Sequence, residues 1–159
     1  MADVEGAKLA LVQGEGFQIA EASEVGSWAD TAWPLGACHD PLTGDTTFAV
    51  HAPAATRVVL ELYPTALGSD AQCEFEMVPG RDGVWCAAIA GLKHGALYAF
   101  RCWGANWRHD PSWRRGGSRA GFKSDLDADG NRFNPNKALF DPYAREITHT
   151  PLSSLVRRA

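Results

Sequence analysis

Three tryptophans late in the chain, Trp103, Trp107 and Trp113, stand beside Asn106, Arg108, His109 and Asp110. Exposed indoles stack on the apolar C–H face of a sugar ring, and neighbouring amide, imidazole and carboxylate groups take its hydroxyls. Trp is equally a residue of cores and contact surfaces. The total of six Trp in 159 residues serves either use. On residue types alone, an interface role is favoured over a sugar site.

The other reactive side chains form no catalytic set. Asp125, Asp127 and Asp129, followed by Gly130, copy the first half of a calcium loop. Such a loop closes on a bidentate glutamate and is flanked by helices. Here the closing position is Asn136, after Pro135, with no helical pattern on either side, so the cluster reads as an acidic, solvated turn. No metal or cofactor is expected. His39, His51, His94, His109 and His149 are scattered and build no H-E-x-x-H motif. Neither a G-x-S-x-G elbow nor a glycine-rich phosphate loop occurs. The carboxylates fall in turns and on strand faces that the alternation marks as solvated. None is paired for glycoside hydrolysis, which needs two carboxylates on rigid elements.

Composition narrows the partners. A net charge of −4 gives no electrostatic case for nucleic acid. No apolar run is long enough to span a bilayer. Asp3 and Glu5 stand where a secretory peptide carries positive charge, and Leu9–Val12 is too short for its apolar region, so a cytoplasmic location is expected. Cys38, Cys73, Cys86 and Cys102 form no C-x-x-C pair. A Cys86–Cys102 disulfide is conceivable if their strands form a hairpin turning near His94, but free buried thiols are favoured in a reducing compartment.

The elements that must carry these residues are strands. Thr46–His51, Arg57–Tyr63, Cys73–Val78, Val84–Ile89 and Ala96–Trp103 alternate or run apolar between Gly and Pro turns. Phe48 and Val50, then Val58, Leu60 and Leu62, then Cys73, Phe75 and Met77 face inward. Pro34–Ala37 is a short apolar entry, and Gly91–Gly95 is read as a hairpin loop. This spacing predicts an all-β fold, a β-sandwich with a long irregular C-terminal extension. Residues 104–131 are polar, glycine-rich and aperiodic, which in a compact domain suggests a functional or disordered segment. Next comes a proline-cornered ribbon, Arg132–Arg145, in which Pro135 and Pro142 push Asn134 and Asp141 out of the helical region. A short Ala138–Leu139–Phe140 strand is expected between its corners. Residues 1–32 read as a loosely held leader, 33–147 as the domain and 148–159 as a linker cut short.

Several runs together resemble the N-terminal domain of isoamylase-type glycogen-debranching enzymes, a carbohydrate-binding module of family 48. They are Pro34–Ala37, Thr47–Val58, Gly83–Trp85, Tyr98–Gly104 and, most specifically, Gly130–Lys137 continuing through Leu139–Ala144. Asn106-Trp107 and the insert Gly117–Phe122 look most like bacterial isoamylase. The resemblance covers about residues 33–152 and implies an immunoglobulin-like sandwich leading into a (β/α)8 catalytic barrel. In the family that barrel carries the aspartate nucleophile and glutamate acid that cleave α-1,6 branches. This chain is expected to end before it, and so to hydrolyse nothing by itself.

The resemblance also implies site residues. The Trp-x-His-Asp-Pro turn carries one sugar-stacking tryptophan onto Trp107; Trp103, Trp113 and Asn106 are its helpers on residue type and position alone. The family's lysine position is Ala99, and its second tryptophan has no counterpart in the Pro64–Asp70 loop. That favours a module docking its barrel in cis through Arg132, Phe133, Asn134, Pro135, Asn136, Lys137, Asp141, Pro142 and Tyr143. The alternatives are an autonomous module for α-glucan (glycogen or starch) and a remnant interaction domain without a sugar role. The family's calcium carboxylate falls at Thr150, so no calcium is expected.

Overall fold

The computed structural model describes residues 32–66, 70–92 and 94–147. The leader to residue 31 and the linker from 148, Thr150 included, lie outside the described residues. Among the described residues seven strands follow in order: β1 (Gly36–His39), β2 (Asp45–His51), β3 (Ala55–Tyr63), β4 (Cys73–Glu76), β5 (Val78–Pro79), β6 (Val84–Ala90) and β7 (Leu97–Gly104). They form two antiparallel sheets, ordered β1-β2-β6-β5 and β4-β3-β7. The all-β sandwich expected from strand spacing, immunoglobulin-like as the resemblance implies, is what the chain builds.

The inward faces agree with the alternation. Phe48, Val58, Leu60, Leu62, Phe75 and Met77 join Trp85, Ile89 and Phe100 in one buried cluster between the sheets. The entry segment continues as an edge strand, in which Gly36 pairs with Ala49 and His39 with Thr46. The expected Cys73–Val78 strand changes sheets partway. Glu76 pairs with Val59 of β3, whereas Val78 pairs with Cys86 of β6. Met77 spans the switch, its N–H donating to the Val58 carbonyl at 3.0 Å.

The Gly91–Gly95 hairpin is corrected. β6 pairs with β2 and β5, and β7 pairs with β3, so this loop crosses between the sheets. Cys86 and Cys102 therefore belong to different sheets, and all four cysteines are free. Residues on adjacent β-strands of a sandwich pair only within a sheet, and the apolar patterns of β6 and β7 fit either connection.

Candidate functional site

The outer face of the β4-β3-β7 sheet carries a second core. Val59, Trp103 and Trp107 are buried there, with Trp113 and Phe122 packed against them. The aperiodic segment after β7 supplies the cover. Trp107 pairs with both Gly104 and Phe122 in isolated bridges, and the Arg108 N–H donates to the Gly121 carbonyl at 3.0 Å. A methyl group on Gly121 would lie 1.9 Å from the Arg108 oxygen, so the close approach requires glycine. The segment folds as a cap without regular secondary structure.

The cap buries most of the aromatic set. Trp107 is 6% exposed and donates its Nε1–H to the Ala120 carbonyl at 2.9 Å. Trp103 is 2% exposed, edge-on to Trp113 at 5.3 Å and to His109 at 5.4 Å, with the Arg57 guanidinium 4.6 Å over its ring. Buried rings offer no free face to a sugar. Asn106 is buried too, and its side chain imitates a backbone partner. It accepts from the Phe133 N–H and donates to the Phe133 carbonyl, both at 3.0 Å. Trp113 alone of the four is half-buried. The structure thus brings all four together as the cap's own core and anchor.

Beneath the cap lies a charged cluster that strand alternation placed in solvent. Glu61 is 0% and Arg101 5% exposed. Arg101 donates Nε to Glu61 Oε1 at 2.5 Å and Nη2 to Oε2 at 2.9 Å. Tyr63 donates its hydroxyl to Glu61 Oε2 at 2.5 Å. Arg115, from the cap, lies 2.7 Å from Glu61 Oε1 and also bridges to Glu74. Burial pushes the Glu61 carboxyl up, but the bonds from Arg101 and Tyr63 and the charges of Arg101 and Arg115 hold it below its ordinary value. Burial and the Glu61 charge push the Tyr63 phenol up. The remaining Arg101 nitrogen, Nη1, donates to the Pro135 carbonyl, which ties the cluster to the ribbon. The sequence signal for this pair was present: Glu61 and Arg101 are the lone charges inside two apolar strand runs.

The ribbon closes the side of the sandwich between β7 and β1. Its expected three-residue strand is a single bridge, in which Leu139 exchanges both backbone hydrogen bonds with Phe100, at 2.7 and 2.9 Å. Gly104 lets Phe133 pass flat against β7, because a methyl there would lie 2.0 Å from the Phe133 ring. Asn134 Oδ1 accepts from the Asn136 N–H, and Asp141 Oδ1 from the Tyr143 N–H, at 3.0 and 2.8 Å. These fix the two proline corners. Asp141 Oδ2 accepts from the Tyr98 hydroxyl at 2.7 Å, and the Tyr143 backbone passes Gly36 of β1.

The expected interface residues therefore divide. Phe133, Asn134, Pro135, Asn136 and Asp141 turn partly or wholly inward, whereas Arg132, Lys137, Pro142 and Tyr143 are exposed. Leu139 and Phe140, also on this side, and Ile147 further along the chain are large apolar residues left about half exposed. Between the ribbon and the ends of β2 and β7 lies a groove of about 430 Å³, its floor including Val50, Phe100 and Phe133.

Among the described residues no group of His, Cys, Asp or Glu is placed to hold a metal ion. The Asp127 carboxylate instead caps its own turn, accepting from the N–H groups of Asp129 at 3.0 Å and Asn131 at 2.8 Å. No helix of the described residues is long and apolar enough to cross a membrane.

Comparison with known proteins gives consistent matches. The family described as carbohydrate-binding module 48 (isoamylase N-terminal domain) matches residues 34–144. The chain is 41% identical over 126 residues to an isoamylase of Pseudomonas amyloderamosa, across 75% of this chain and 16% of that protein. It is 40% identical over 130 residues to an isoamylase of Flavobacterium sp, across 76% and 16%. A glycogen debranching enzyme of Salmonella typhi is 34% identical over 118 residues, across 73% and 14%. The chain thus spans 16% or less of these relatives' lengths. Among solved structures, a pullulanase from Paenibacillus barengoltzii in complex with maltohexaose and alpha-cyclodextrin superposes with a TM-score of 0.42 and 27% identity, over 48% of this chain and 12% of that one.

Proposed function

The chain belongs to the carbohydrate-binding module 48 family, the isoamylase N-terminal domain, and from that premise we propose that it is the non-catalytic module of a glycogen- or starch-debranching enzyme, which docks a catalytic barrel through its ribbon. One observation carries this reading. Leu139, Phe140, Tyr143 and Ile147 are 44 to 56% exposed along one segment. The backbone that presents the first three is pinned at Leu139 by Phe100 and at the Asp141 corner by Tyr98. An exposed apolar set on a fixed backbone is the mark of a contact surface. The test is binding of an anilinonaphthalene dye together with sedimentation. The chain should bind the dye or self-associate, and Phe140→Ser with Tyr143→Ser should reduce either. A monodisperse chain that binds no dye removes the main support.

A second reading, direct contact with α-glucan, narrows to Trp113. It is the one half-buried indole of the set; its Nε1–H is itself buried, so any contact falls to the exposed part of the ring.

A further inference from the structure

The groove beside the ribbon differs in character from the apolar face that adjoins it. Its floor is apolar, from Val50 on β2, Phe100 on β7 and Phe133 on the ribbon. Its rim is basic. Arg132 and Lys137 both line it and are both exposed. Neither makes an ion pair with any described residue, whereas Arg57 on β3, Arg101 on β7 and Arg115 in the cap all pair with carboxylates. His51 is exposed on the β2 side of the rim. One carboxylate, Asp125, lies in the lining and offsets only part of this charge.

We propose that this groove receives an apolar side chain, aromatic or branched, that carboxylates flank on the surface of the catalytic domain. The proposal rests on the docking role and names the partner chemistry. Three observations select that occupant. Phe140 and Pro142 line the groove, so it is continuous with the exposed apolar side of the ribbon. The relatives matched over 16% or less of their length extend far beyond the module, which supplies a partner in the same polypeptide. Unpaired cations around an apolar floor complement an acidic surface with an apolar projection, and a basic surface would meet like charge. The apolar knob supplies burial, and the flanking carboxylates fix its register and exclude wrong partners.

The test uses a full-length enzyme, the Pseudomonas amyloderamosa isoamylase carrying this module in place of its own. Limited proteolysis at the module–barrel junction is followed at low and high salt. The exchanged enzyme should resist cleavage. The double charge reversal Arg132→Glu with Lys137→Glu should be nicked at least about ten-fold faster. Salt should speed cleavage of the unreversed module and slow that of the reversed one, because screening weakens the attraction in the first and the like-charge repulsion in the second. Thermal unfolding of the isolated variant module should match that of the unaltered one, which separates loss of docking from loss of fold. If Tyr143→Ser opens the junction while the charge reversal and salt do nothing, the groove proposal is wrong and docking stands. If the junction of the unaltered exchanged enzyme is cleaved freely, docking itself fails and the groove proposal falls with it.

Discussion

Arg101 spans two layers of the molecule. It grips both carboxylate oxygens of Glu61 at 2.5 and 2.9 Å and gives its third nitrogen to the Pro135 carbonyl. The strut runs from β3 through β7 to the ribbon, wholly beneath the cap. Removing one partner leaves the other as an uncompensated buried charge. Glu61→Ala should therefore cost about 3–5 kcal/mol, and Arg101→Met a similar amount. The pair Glu61→Leu with Arg101→Met should recover much of that loss, since no buried charge is then left alone. Urea unfolding of the three variants checks this.

The same carboxyl makes stability depend on acid. The folded-state pKa of Glu61 is held below its ordinary value of 4.5. Its contribution is then complete above that value and is lost as pH falls through the depressed folded value. The urea midpoint should drop on acidification below pH 4.5. Glu61→Gln should flatten that limb and lower the neutral plateau.

Burial of the indoles predicts a structural role for two of them. Trp107→Ala should destabilise the chain by about 3–5 kcal/mol through cavity formation and the loss of a hydrogen bond. In affinity electrophoresis the unaltered chain should run through glycogen gels without retardation. Retardation that Trp113→Ala abolishes, with the variant still folded, would establish the glucan contact instead.

Thiol chemistry reports on the sandwich. Burial pushes the Cys102 thiol up to about 11 and raises Cys73 and Cys86 as well. Only Cys38 is half-buried. In the native chain one thiol should react promptly with an aromatic disulfide reagent. The other three should follow only on unfolding, and four equivalents should react in denaturant without reductant. Fewer than four would indicate a disulfide.

The sandwich was legible because strands buried on one face alternate. Phe48, Val58, Leu60, Phe75 and Met77 took their expected places. The sheet switch at Met77 and the crossing at Gly91–Gly95 were not legible, because alternation records which face is buried but not which neighbour supplies the hydrogen bonds. The larger miss lay on the outer face of β3 and β7. Glu61, like the other strand carboxylates, read as solvent-facing, yet a cap drawn from residues 105–137 covers it together with Trp103. That cap has no period, being held by single contacts such as Asn106 to Phe133 and Arg115 to Glu61. The ribbon fared better. Its proline corners and their Asn134 and Asp141 caps followed from local backbone chemistry, whereas its tie to Arg101 depended on a strand more than thirty residues away.

Docking is tested most directly by calorimetry of the Pseudomonas amyloderamosa isoamylase that carries this module in place of its own. A module packed on its barrel through Leu139, Phe140, Tyr143 and Ile147 should unfold with it in one cooperative transition, which Phe140→Ser with Tyr143→Ser splits into two. Two independent transitions in the unaltered exchanged enzyme, the first matching the isolated module, would contradict the docking role.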